Sequence, residues 1–146
     1  MRPCLGWYYL LECSPDADPR LMKVGWTNHP LQRWQQHRRQ WPGLAVVRLW
    51  PCHSHWERVV TVAVTRGCVL AENSLETFRV DSPTAFLERI EAFHGTHDTA
   101  RDPGLTWRVL HRMGLFDDWR RVYGRGGTPF VPAAIRRLAS LGLDGE

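Results

Sequence analysis

Between Met22 and Arg38 the chain reads MKVGWTNHPLQRWQQHR and switches once from strand-like to helix-like patterning, and this switch constrains the fold more than any other stretch. A short apolar strand ends in a turn at Gly25. Thr27-Asn28-His29-Pro30 then supplies the residues that start helices, a Thr/Asx cap region and a first-turn proline. Trp41-Pro42-Gly43 ends the helix, which is predicted over Pro30–Gln40. Within it Arg33 and His37 stand four residues apart and share one face, while Leu31, Trp34 and Trp41 form another stripe suited to packing on a sheet. A cation beside an imidazole on a helix that follows a strand is a plausible holder for a phosphate.

The flanking sequence predicts what this unit packs against. Gly6–Cys13 (GWYYLLEC) and Leu21–Gly25 read as two strands of a hairpin joined by the turn formers of Ser14–Arg20. Leu44–Cys52 has high strand propensity and is the natural third strand. His55–Gly67 carries valines that favour a strand, yet Trp56, Val59, Val60, Ala63 and Val64 fit one helical face, so a helix is expected, with Glu57 at the edge of that face. Glu76–Val80 reads as a short extended segment, and Pro83–Phe93 as an amphipathic helix burying Phe86, Leu87, Ile90 and Phe93. The expected class is α+β, a small three-stranded antiparallel sheet flanked by helices, with a helical C-terminal extension. Its boundary falls near residue 100, giving 1–99 and 100–146.

Composition bounds the function. A chain of 146 residues with 43% hydrophobic content can bury one ordinary core. Its formal charge is +4, Lys23 is the only lysine, and residues 100–146 hold eight arginines against five acids. An arginine-rich excess of this size is compatible with nucleic acid. The apolar run Leu5–Leu11 is too short to span a bilayer, so a cytoplasmic protein without a membrane partner is expected. Cys4, Cys13, Cys52 and Cys68 show no CxxC spacing, which argues against a zinc ribbon or a disulfide framework.

Taken together, the motifs resemble those of the GIY-YIG endonuclease superfamily. Gly6-Trp7-Tyr8 is similar to its first signature and Lys23-Val24-Gly25 to its second, in the K-I-G form of the phage-related branch. Arg33 and His37 match the arginine and histidine of its first helix, Glu57 matches its helical glutamate, and Glu76-Thr77-Phe78 resembles an E-W-F element. The resemblance spans residues 5–93. It implies a metal-dependent endonuclease that hydrolyses phosphodiester bonds in nucleic acid, double-stranded DNA first, using Mg²⁺ or Mn²⁺ held by Glu57. Tyr8 is then the general base, Arg33 the phosphate-binding group, and Lys23 and His37 further catalytic groups, with Gly25, Arg38 and Glu76 facing the substrate.

The chemistry of phosphodiester hydrolysis is consistent with such a set, since it needs an activated water and charge neutralisation on the phosphate. Taken singly, Tyr8 is also an ordinary strand aromatic, and Arg33 and Glu57 ordinary surface charges. Lys23 stands where better-known family members carry a tyrosine, which leaves the division of proton transfer among Tyr8, Lys23 and His37 open. Two other functions fit the same residues: a non-cleaving nucleic-acid-binding or regulatory protein, and a non-nuclease enzyme reusing the site. The basic extension is expected to hold the duplex through phosphate contacts, or to form a homodimer through its helices.

Overall fold

The computed structural model describes residues 4–71, 76–102 and 111–123. A ten-residue strand β1 (Leu5–Ser14) turns through Ala17, whose N–H donates to the Ser14 carbonyl, into β2 (Asp18–Thr27). Helix α1 (Pro30–Gln40) follows, with Pro30 in its first turn and the Trp41 N–H closing it on the His37 carbonyl. Then come β3 (Ala45–His53), a 3-10 turn over Ser54–Trp56, α2 (Glu57–Val64), β4 (Val69–Leu70), β5 (Thr77–Arg79), α3 (Pro83–Thr96) and α4 (Phe116–Tyr123). The predicted boundaries of α1 and the helical assignment of residues 57–64 both hold.

The described strands form one antiparallel sheet of order β3-β1-β2-β5-β4. The expectation of three strands is therefore corrected to five. Its β3-β1-β2 part is present, and β5 and β4 extend it past β2. β4 went unpredicted because two residues carry no readable alternation.

Strand alternation divides the core in two. Tyr8 pairs with Trp26, Leu10 with Val24 and Glu12 with Met22, while Tyr9 pairs with Gly25 and Leu11 with Lys23. Paired residues of an antiparallel ladder share a face, and successive residues alternate. Tyr8, Leu10, Val24 and Met22 pack with α2 (Val59, Val60), α3 (Phe86, Ile90) and α4. Tyr9 and Leu11 face the other way and pack with Trp34 of α1 and Leu44. Leu31, expected on the sheet-facing stripe with Trp34, is instead 77% exposed, because α1 rests on the sheet through Trp34 one turn later.

Gly6 has a structural duty on the α2 face. The Trp26 indole crosses over it to donate from Nε1 to the Cys52 carbonyl at 2.7 Å, and a Cβ at Gly6 would lie 2.6 Å from that ring.

The core continues across residue 100. Leu115, Trp119 and Val122 are buried in the same cluster as α2 and α3, and the Arg58 guanidinium lies over the rings of Trp119 and Tyr123. Asp118 binds Arg66 just beyond α2 at 2.8 Å. The helices expected over Leu105–Met113 and Pro132–Leu141, with the dimer contact proposed for them, fall outside the described residues, apart from the last three residues of the first. Among the described residues no helix is long and apolar enough to cross a membrane. Deleting residues 100–146 strips three large buried side chains from the α2 face, so urea denaturation is expected to show a loss of about 5 kcal/mol or more, or no cooperative transition at all. A truncated protein as stable as the full chain would show that α4 is dispensable for folding.

Candidate active site

β5 pairs with β2 only as far as the Lys23–Thr77 register position, and beyond it the edge of β2 still presents backbone donors. The Val24 N–H donates to the Glu76 carbonyl at 3.0 Å, and the Trp26 N–H donates to Glu57 Oε2 at 3.1 Å. Donors two residues apart point to the same edge, so the ladder brings Glu76 and Glu57 side by side. Glu57 arrives there because the Ser54–Trp56 turn places it as the first residue of α2, where the helix dipole favours a carboxylate.

The two carboxyl groups act on each other, raising Glu57 and lowering Glu76, the direction that leaves the proton on Glu57. Burial, then the neighbouring Glu76 charge, pushes Glu57 well above the usual carboxylate range, although the Trp26 N–H opposes the shift. Burial also raises Glu76, and Lys23 acts against it. At neutral pH the pair therefore holds a shared proton.

Gly25 lies on the α1 face opposite Tyr9, and its missing side chain makes the space for what converges there. A Cβ at this position would sit 2.4 Å from the Tyr9 phenol oxygen and 3.0 Å from Glu76 Oε2. Phenol and carboxylate thus approach one point above the β2 backbone. The Tyr9 hydroxyl is hydrogen-bonded to His37 Nε2 at 3.0 Å, and its ring meets Trp34 edge-on at 5.0 Å. Burial, then Lys23 and Arg33, lowers His37 to about 4, so its ring is neutral at pH 7 and can accept a proton. Burial, then Glu76, pushes the Tyr9 phenol far up, with Arg33 opposing.

Arg33 is half-buried one turn before His37, and its charge acts on Tyr9, His37 and Glu76. Beside it, a cavity of about 230 Å³ is lined by Thr27, Asn28, His29, Gln32, Arg33 and Gln36. Lys23 stands on the same face, near enough to His37 and Glu76 for its charge to act on both.

The structure thus brings Lys23, Gly25, Arg33, His37, Glu57 and Glu76 together. Tyr8 lies on the other face of β1, although the charges of Glu76 and Glu57 reach it there too. It faces α2, wholly buried, and its hydroxyl is bonded to Thr61 Oγ1 at 2.8 Å. Both tyrosines are covered, and the face they occupy separates them: Tyr9 supplies the phenol at this site. Arg38 is exposed in the last turn of α1, one residue beyond His37 and so displaced around the helix. Glu76, expected against the substrate, is the partner of Glu57. Tyr9 was missed because the first motif was counted from Gly6. The usable signal was that the glycine of the second strand needs a bulky neighbour opposite it.

The donor set suits a hard divalent cation, which takes oxygen ligands and few protein carboxylates. The described residues contain no group of three or more His, Cys, Asp or Glu able to hold a metal. The four cysteines are free, and Cys52 is buried with its thiol pushed up to about 12 by that burial, a poor metal ligand at neutral pH. Compared with protein-family models, curated proteins and solved structures, the chain gives no match.

Gly25→Ala is expected to lower stability by about 1–3 kcal/mol, because the methyl group collides with the Tyr9 phenol. Gly43→Ala, with open space around it, should stay close to wild type. Equal urea midpoints for the two variants would contradict the packing at Gly25.

Proposed function

We propose that the protein is a metal-dependent endonuclease of the GIY-YIG type that hydrolyses phosphodiester bonds in DNA. The observation that carries this is the convergence over Gly25 of a phenol–imidazole pair with two facing carboxyl groups, beside an arginine. The chain path supports it too: an antiparallel hairpin, a helix bearing Arg33 and His37, a third strand on the far side of β1, then a helix opening on Glu57.

Each residue then has a separable task. Arg33 binds the scissile phosphate through its planar fork, and Lys23 adds positive charge beside it. A divalent cation such as Mg²⁺ or Mn²⁺, held by Glu57 and Glu76, would supply Lewis-acid charge and a water of lowered pKa. The Tyr9 phenol passes its proton to His37 Nε2, in the Nδ1–H tautomer of that ring, and takes one from the attacking water. With one carboxylate neutralised by the shared proton, the unloaded site opposes ionisation of Tyr9 less than two bare carboxylates would.

Purified protein with Mg²⁺ or Mn²⁺ is expected to nick supercoiled plasmid, and Glu57→Gln and Arg33→Ala each to slow nicking by about 100-fold or more. Duplex binding without nicking across a metal and pH screen would favour the non-cleaving alternative. Cation binding must displace the shared proton, so Mn²⁺ affinity should rise as the pH goes from about 6 to about 8.5, and level off in Glu57→Gln. The sign for stability is the opposite. A carboxyl whose folded pKa is raised favours the folded state only while protonated, so the cation-free protein loses stability as pH rises through that raised value. A Mn²⁺ affinity independent of pH would contradict the shared proton.

A further inference from the structure

The α1 face of the sheet is covered only in part. Trp34 meets Tyr9 edge-on, but one step further along β1 the cover ends. Trp7, two residues before Tyr9 and so on the same face, is 40% exposed, and Leu31, three residues before Trp34 in α1, is 77% exposed. β1 is paired on both sides, by β2 and by β3, so this open indole sits in the middle of a sheet and not at its edge. A tryptophan in such a place is ordinarily buried.

The indole stands next to the cavity beside Arg33. Trp7 pairs with Thr27, whose side chain shares its face, and Thr27 forms one wall of that cavity. Three of the remaining lining residues are amides. Asn28 precedes the helix, and Gln32 and Gln36 follow at four-residue spacing on one stripe of α1, alongside Arg33 and His37. Each amide offers donors and an acceptor together. A phosphate takes donors only, so a lining of amides suits a ligand that presents both kinds of group, as the edge of a nucleobase does. Charge points the same way: α1 carries Arg33, Arg38 and Arg39 and no acid, which favours a polyanion over an uncharged aromatic.

We propose that Trp7 and this cavity form a subsite for one unstacked nucleobase of the DNA, with the indole as the stacking surface and Asn28, Gln32 and Gln36 bonding the base edge. Residues two apart along a strand are about 7 Å apart, so the base on Trp7 belongs to a nucleotide adjoining the phosphate at Tyr9 and Arg33. The subsite rests on the nuclease reading and narrows its substrate to DNA in which one base at the cut is unpaired, or is extruded from the duplex on binding.

Fluorescence anisotropy of end-labelled DNA with the full chain, in the absence of divalent cation, reads this binding apart from cleavage. Two duplexes are compared, one with a single bulged adenine and one with an abasic residue at the same bulge. The wild type is expected to bind the adenine bulge about tenfold to a hundredfold more tightly, since the two differ only in the base. Trp7→Ala should erase that difference and Trp7→Phe keep most of it, while Gln32→Ala combined with Gln36→Ala should cut it by about fivefold. Equal wild-type affinity for the two duplexes would overturn the subsite, whether or not the Trp7→Ala protein folds. The full difference kept by a folded Trp7→Ala protein would overturn the role of the indole. Plasmid nicking by a wild type that shows no difference would overturn the subsite and leave the nuclease reading standing. The difference without nicking, across the same metal and pH screen, would support the subsite in a non-cleaving protein.

Discussion

The arrangement depends on how the edge of β2 satisfies its backbone donors once β5 has ended. A buried N–H without an acceptor is costly, so β5 reaching no further than Thr77, opposite Lys23, requires the chain to provide acceptors for Val24 and Trp26. It uses a carbonyl for one, from Glu76, and a carboxylate for the other, from Glu57. Two acids from distant parts of the sequence are thereby set against each other, and their mutual repulsion and burial make them share a proton. The electrostatics of the site follow from a hydrogen-bonding requirement of the sheet.

The second constraint is the absence of a side chain at Gly25. It opens the α1 face of β2 so that Tyr9 can bring its phenol over the strand toward Glu76, with His37 and Trp34 holding the ring from above. Gly6 does the corresponding work on the other face, where the Trp26 indole passes over it to β3. The two glycines thus serve opposite faces, one making room for the Tyr9 phenol and the other for core packing. The neutral His37 completes the arrangement by offering the phenol an acceptor at physiological pH.

Much of this was legible in the sequence. The stretch from Thr27 to Gly43 announced α1 through its proline and its Trp-Pro-Gly stop, and the four-residue spacing of Arg33 and His37 put both on one face of it. Glu57 emerged from the helical spacing of the valines after it. Counting the first motif from Gly6 selects Tyr8, but Gly-Trp-Tyr-Tyr admits a second count that ends on Tyr9, and a shift of one residue in a strand exchanges the faces. The Gly25 register partner, visible only once β1 and β2 are aligned, is Tyr9. β4 and β5 escaped a full description because strands of two or three residues are defined by their partners, and the burial of Leu115, Trp119 and Val122 because a basic tail reads as a solvated one.

In the proposed function the site lies on the α1 face of the sheet and Tyr9, not Tyr8, is its phenol. This assignment is tested most directly by plasmid-nicking rates of Tyr8→Phe and Tyr9→Phe under single-turnover conditions. Tyr9→Phe is expected to lose about 100-fold or more. Tyr8→Phe is expected to nick at near wild-type rate, its cost of about 1 kcal/mol falling on stability through the lost Thr61 bond. Cleavage abolished by Tyr8→Phe and preserved in Tyr9→Phe would contradict the assignment.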